Sequence, residues 1–268
     1  MALILVLWVL ALLALLAMGF AGSARTELQI ARNQYEAAQA RAIADAGVSF
    51  GILGMLDPSA QTQWSADGRE YPVDYGTGTL RVSVQDEAGK INLNLAAPEL
   101  LAGLLRTLGV ADAAAQQIVD GILQRRREAA DTAGAARGAF RDVAELRLVP
   151  GMTRPLYQAM APLVTVYTLG DRIDPLTAPA EVLRSLPGVF PQQVDAYLAA
   201  RAQAGPQPTA LPPLAGVDRF IARSAVQIVT IRAEGETTSG AVFVREAAVA
   251  MTGSPPYRFL SWRQGERP

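Results

Sequence analysis

The chain contains no Cys and no His, so its chemistry must come from carboxylates, hydroxyls, Arg and one Lys, Lys90. That excludes thiol nucleophiles, disulfides, iron–sulfur clusters, Cys/His zinc sites, Ser-His-Asp triads and any His base. Carboxylates can still act as acid–base pairs or as oxygen ligands for a hard cation such as Ca²⁺. Asp86 and Glu87 are adjacent, so on a strand they point to opposite faces and make a poor acid–base pair, though their oxygens suit a cation. Asp131, Asp142, Asp171 and Asp174 fall in loops and are equal candidates. Lys90, in the turn Glu87-Ala88-Gly89-Lys90, reads as a surface charge. The dense basic cluster, Arg125-Arg126-Arg127, reads as a helix end, where cations are favourable. There is no GxGxxG, Walker A, GxSxG or DxDxDG motif. With 24 Lys+Arg against 25 Asp+Glu, no basic excess draws the chain toward nucleic acid. These residues point away from an enzyme.

The elements that must position them fill 268 residues, half apolar and 18% charged, which is composition for a packed core. Residues 1–24 carry no charge and 2–20 are almost continuously apolar, long enough to span about 30 Å of hydrocarbon. No Lys or Arg precedes the run, so it reads as a retained transmembrane helix and not a cleaved signal, with Arg25 at the membrane–water boundary. Residues 25–55 lack Pro and continue the helix, with Arg32/Glu36 and Arg41/Asp45 four apart and an apolar stripe of Leu28, Ala31, Tyr35, Ala38, Ala42 and Ala46. Gly51, Gly54 and Asp57-Pro58 are read as its end. Leu80, Val82 and Val84 alternate with polar residues, a half-buried strand, with 71–75 as its hairpin partner. From Ile91 the period is helical, with short helices at 98–108, 112–127, 143–148, 154–161, 179–185 and 191–202, then a Pro-rich loop at 205–213. Residues 226–251 form a second hairpin, and the aromatic tail offers a last strand. The fold class is α+β: a long helix, strands, a helical insertion, then strands of the same sheet. The segments are 1–24, 25–90, 91–225 and 226–268.

Two stretches of the helical segment resemble each other. Ile91-Asn92-Leu93-Asn94-Leu95-Ala96-Ala97-Pro98-Glu99-Leu100-Leu101 and Ile173-Asp174-Pro175-Leu176-Thr177-Ala178-Pro179-Ala180-Glu181-Val182-Leu183 each run from a polar turn through Ala-Pro into a helix with an early Glu. This reads as a duplicated unit. Two turns recur as well, Pro150-Gly151 and Pro187-Gly188, each reversing the chain between short helices as in helix-hairpin-helix modules. Such modules can cradle a DNA phosphate on backbone N–H groups, so a membrane-anchored DNA-binding protein is the alternative reading. Against it, Thr153 and Phe190 stand where a second glycine is needed, and Glu181 and Asp195 oppose Arg184 and Arg201.

The apolar N-terminus running into Ala24-Arg25-Thr26-Glu27-Leu28, then Ala38-Gln39-Ala40-Arg41-Ala42-Ile43-Ala44-Asp45-Ala46-Gly47, resembles the K-type minor pseudopilins of bacterial type II secretion. Asp86 to Asn94, Phe140-Arg141-Asp142-Val143-Ala144-Glu145-Leu146, Val149 to Thr153, Ala161 to Tyr167 and Ile173 to Leu183 extend the resemblance over nearly the whole chain. The resemblance implies a pilin-like fold with an inserted α-domain of helix-hairpin-helix, SAM-like repeats. It implies a place at the tip of the periplasmic pseudopilus, with I- and J-type minor pseudopilins as partners, the secretin or secreted cargo as further contacts, and no nucleic acid. It places the anchor in the inner membrane and the remainder in the periplasm. Family members are made with a short basic leader, and Met1 stands where their mature chains begin. On that numbering Leu5 replaces the Glu of most pilin-like subunits, as in the K type. A carboxylate in an apolar core is costly unless paired, and a tip subunit has no neighbour above it to pair with. Some members hold Ca²⁺ in the α-domain; the resemblance carries calcium here without a matching ligand set.

Overall fold

A computed structural model describes residues 2–59, 63–76, 78–131, 139–204, 211–224, 227–251 and 253–265. The first element, α1 (Ala2–Leu56), is one unbroken helix of 55 residues, about 80 Å at 1.5 Å per residue. Arg32–Glu36 (3.0 Å) and Arg41–Asp45 (3.8 Å) meet on its surface as their spacing dictates. Its buried stripe differs from the expected one. Leu28, Ala31, Tyr35, Ala38 and Ala42 are exposed, and Ala46 is only half-buried. Burial starts at Ala40 and continues through Ile43, Ala44, Val48, Ile52 and Met55. The sheet underlies only the last turns, so apolar periodicity before Ala40 has nothing to face. Gly51 and Gly54 do not end the helix. A Cβ on Gly51 would lie 2.7 Å from the Ile231 side chain, and one on Gly54 would enter the Trp64 ring, so these glycines let the helix settle close. The stop comes at Asp57-Pro58, because proline disfavours helical dihedrals at Asp57.

Seven strands are described: β1 (Asp67–Asp74), β2 (Gly78–Asp86), β3 (Ile91–Asn92), β4 (Val164–Thr165), β5 (Gln227–Thr237), β6 (Val242–Met251) and β7 (Tyr257–Gln264). Five form an antiparallel sheet in the order β1-β2-β5-β6-β7, while β3 and β4 pair in parallel apart from it. Asp86 stands opposite Val229, so strands far apart in the chain are neighbours in the sheet. Leu80, Val82, Val84, Val229, Ile231, Ala233, Ala247 and Val249 alternate onto the face covered by α1. The other face carries an ionic row. Arg81 pairs with Glu234, Arg232 with Glu246 (3.3 Å), and Arg263 with both Glu246 (3.1 Å) and Asp142 (3.3 Å) of the helical segment.

The helices between β2 and β5 are α2 (Pro98–Thr107), α3 (Asp112–Asp131), α4 (Arg154–Met160), α5 (Ala180–Arg184) and α6 (Pro191–Gln203). Val143–Leu148 is a 3₁₀ turn, started by the Asp142 carboxylate accepting from Ala144 N–H. Leu100, Leu101, Leu104, Ile118, Ile122, Phe140 and Leu146 centre a second core, distinct from the one under α1. Each such side chain contributes about 1.5–3 kcal/mol on burial. α3 runs past the Arg125-Arg126-Arg127 cluster to Asp131, so those arginines lie inside a helix, not at its end. Most of the expected loop at 205–213 lies outside the described residues.

Candidate functional site

Pro150-Gly151 and Pro187-Gly188 lie at the surface as tight reversals. Gly151 (φ +86°) leads to α4, and Gly188 (φ +87°) joins α5 to α6; only glycine adopts these angles without strain. A third turn of this kind joins α2 to α3 at Gly109 (φ +81°). Leu108-Gly109-Val110 lacks the proline that marked the other two, which hid it; the recurring Gly-hydrophobic pair (Gly109-Val110, Gly151-Met152, Gly188-Val189) was the available signal. Three arginines near these turns are engaged. Arg184 pairs with Asp195 (3.2 Å), Arg125 pairs with Glu145 and lies over the Phe140 ring, and Arg147 stacks on Tyr157. Guanidinium groups held this way are poorly placed to neutralise phosphates.

The two similar stretches receive the same kind of support. Arg126 of α3 donates to the carbonyls of Leu93 and Ala96, both at 2.8 Å. Arg201 of α6 donates to those of Pro175 (3.0 Å) and Ala178 (2.7 Å). Aligning the two stretches puts Leu93 on Pro175 and Ala96 on Ala178. Arg126 reaches its two carbonyls with Nε and Nη1, whereas Arg201 serves both of its carbonyls from Nη1 alone. Burial lowers the affinity of Arg126 for its proton, to a pKa of about 10, and lowers that of Arg201 as well. Arg126→Lys should lose about 1–2 kcal/mol, since a point ammonium cannot span both carbonyls, and Arg201→Lys should lose less, because one nitrogen already serves both of its carbonyls. Urea midpoints check this, and an unchanged midpoint for both would remove the carbonyl bridge as a stabilising device.

Four charged groups are buried where the chain leaves the sheet for the helices. Asp86 closes β2 and accepts from Ala88 N–H (2.8 Å), capping a 3₁₀ turn over Glu87–Gly89. Glu87 is therefore off the strand, and it is buried. Lys90 is buried too, not a surface charge, with its ammonium 2.5 Å from Glu87 Oε1. Asp174 is the fourth, accepting from Leu176 and Ser224 N–H groups and facing Arg223 at 3.6 Å. Among the described residues no group of three or more carboxylates is arranged to hold a metal ion. Asp86, Asp142 and Asp174 instead each cap backbone N–H groups.

At the other end of the molecule, Leu5 is 68% exposed on α1, and Leu3, Trp8, Leu10 and Leu15 are exposed with it. Arg25 is exposed on the same unbroken helix. Among the described residues no helix is long and apolar enough to cross a membrane; the side chains at 14, 16, 17 and 19–24, inside the expected anchor, lie outside those residues.

Residues 82–169 match the family model for type II secretion system (T2SS) protein K. No curated protein sequence matches the chain. Among solved structures, a chain of the GspK-GspI-GspJ complex from the enterotoxigenic Escherichia coli type 2 secretion system is similar in fold. It has 19% identity and a TM-score of 0.54, and the match covers 91% of this chain and 99% of that one. The matched segment opens on β2, runs through the buried Asp86–Lys90 corner and the first two glycine turns, and ends just past β4. Over that segment the chain is similar to protein K of the type II secretion system, and its long helix on an antiparallel sheet gives it the fold of the solved complex's chain.

Proposed function

We propose that the chain is a minor pseudopilin that assembles with I- and J-type subunits at the tip of the pseudopilus and supports export across the outer membrane. The observation that carries this reading is the exposed N-terminal portion of α1, in a chain whose residues 82–169 match protein K. A helix of this length has no reason to show Leu28, Ile30 and Tyr35 to water unless something else covers them. Residues 1–24 anchor it in the inner membrane, with Arg25 at the boundary and the rest in the periplasm. Residues 25–90 and 226–268 form the pilin-like part. Residues 91–225 form an inserted α-domain of duplicated hairpins, the turns at Pro150-Gly151 and Pro187-Gly188 among them, and its bulk blocks addition of a subunit above. Leu5 fits that position, since a terminal subunit loses nothing by lacking a carboxylate there. The role is structural, with no catalysis.

The test is co-elution of the chain with I- and J-type subunits in mild detergent at micromolar concentration. A single complex of all three is expected, and separate elution would sink the reading. Leu28→Glu and Tyr35→Glu should weaken the complex at least tenfold. Both should leave thermal stability within about 0.5 kcal/mol, because exposed positions lose no internal contact. Duplex DNA should show no salt-sensitive gel shift with the chain; a shift that fades with added salt would favour the hairpin turns as phosphate cradles.

A further inference from the structure

The chain passes between the sheet and the helical segment twice, outward over residues 86–90 and back through 221–224. Asp174 ties the two passages together. Its backbone N–H donates to the Ala88 carbonyl (2.7 Å) in the outward passage, and its carboxylate accepts from Ser224 N–H (2.9 Å) in the return. A second tie runs beside it, from the Gln85 side chain to the Thr177 carbonyl at 2.8 Å. Gly89 packs so tightly there that a Cβ would come within 2.5 Å of the Thr177 backbone. Three carboxylates, Asp86, Glu87 and Asp174, share this corner with one buried ammonium, Lys90, and one exposed guanidinium, Arg223. Lys90 is held by Glu87 and Arg223 by Asp174, so Asp86 has the Ala88 N–H as its hydrogen-bond donor and only the more distant charge of Lys90 in its favour. The sheet adds no charge opposite: β5 presents Val229, and the Asp86 N–H bonds to the Ala66 carbonyl.

We propose that this corner is a pH-sensitive hinge, in which ionisation of Asp86 against Asp174 and Glu87 loosens the helical segment on the sheet. Burial raises the Asp86 carboxyl to a pKa of about 6; the Ala88 N–H and, less strongly, Lys90 oppose the shift, while Asp174 and Glu87 add to it. The direction follows from that elevation. Between its ordinary value near 4 and about 6, an unfolded chain has shed the proton that the folded corner still holds. The corner is therefore firm below that window, weakens through it as pH rises, and stays at its loosest above pH 6.

With no native Cys, two introduced thiols give clean labelling. Spin labels at Thr238→Cys, in the β5–β6 turn, and Ala113→Cys, on the open face of α3, report the distance between the two parts by double electron–electron resonance. In the full chain the distance distribution should be narrow at pH 5 and at least 1.5-fold broader at pH 7.5. Asp86→Asn, which keeps the acceptor for Ala88 N–H but carries no charge, should be narrow at both. A width independent of pH in the parent chain, or an Asp86→Asn chain that broadens like its parent, overturns the hinge. If Asp86→Asn does not fold, hydrogen exchange in the unsubstituted chain decides. The Asp174 and Ser224 amides, corrected for intrinsic rate, should open several-fold more often at pH 7.5 than at pH 5, and equal opening rejects the proposal.

Discussion

Asp45→Ala should destabilise the chain by about 3–5 kcal/mol, far more than removal of its partner. Asp45 sits on α1, and its Oδ1 is 2.5 Å from Nε of Arg245 on β6. The Arg245 side chain is only 5% exposed, between the rings of Phe243 (4.9 Å) and Trp262 (5.1 Å). Its Nη2 is buried without a hydrogen bond among the described residues. A guanidinium cannot shed its proton at ordinary pH, so once Asp45 is gone the charge stays buried with two aromatic faces for company. The reverse change is milder. Arg245→Met keeps an apolar stem in the same slot and leaves Asp45, a third exposed, still near Arg41 at 3.8 Å. About 1 kcal/mol is expected there, because a carboxylate open to water and a second cation is not stranded. Urea denaturation with unchanged slopes measures both, and equal losses would mean that the pair does not work as a buried charge held by one partner.

This pair also shows what local pattern can and cannot reveal. Arg41/Asp45 was visible as an i,i+4 couple, and it forms. That the same Asp reaches a residue 200 positions on was not visible, because it depends on β6 lying beside β5 and on α1 running over both. The strands around Leu80–Val84 and Ile228–Met251 were legible from alternation alone, since each has one face on the α1 core. The same logic failed on α1. Leu28 to Ala46 has helical apolar spacing, yet the buried face starts at Ala40, because the extent of the sheet, not the helix sequence, decides where burial begins.

At the helical segment, the likeness of 91–101 to 173–183 was plain, whereas the arginines that support both stretches come from later helices and carry no local mark. Arg126 was submerged in a basic triplet that read as a helix end, and its two neighbours turn elsewhere or to solvent. Lys90 and Glu87 read as a surface turn because short polar runs usually are. Here the runs at 86–90 and 221–224 both meet residues 173–177 through the topology, and the burial of Glu87 and Lys90 follows from that packing. The recognisable family segments mattered for this reason: they supplied long-range order that periodicity lacks.

Gly235→Ala should cost about 2–3 kcal/mol, against the sign of its intrinsic preference. In a strand interior alanine is ordinarily the better residue, by roughly 0.5–1 kcal/mol, because glycine loses more backbone freedom on folding. At Gly235, however, a Cβ would lie 2.6 Å from Ala44 N, 2.8 Å from Ala40 O and 2.9 Å from Ile43 Cβ. Two of these are backbone atoms of α1 and cannot rotate aside, so the helix itself must move. Gly170→Ala, whose Cβ would meet nothing closer than Arg172 N at 4.0 Å, is the control and should stay within about 0.5 kcal/mol of the parent. The functional consequence exceeds the local one. Ala40 is the first buried residue of α1, and the helix from there toward Ala2 is a lever that is exposed along almost its whole length among the described residues. Lifting the helix there re-aims that lever, so Gly235→Ala should weaken co-elution with I- and J-type subunits even at temperatures where the sheet remains folded. A Gly235→Ala chain that melts like its parent would show that α1 rides higher on β5 than these distances allow. One that melts early but still co-elutes normally would show that partner subunits hold the helix more firmly than the sheet does.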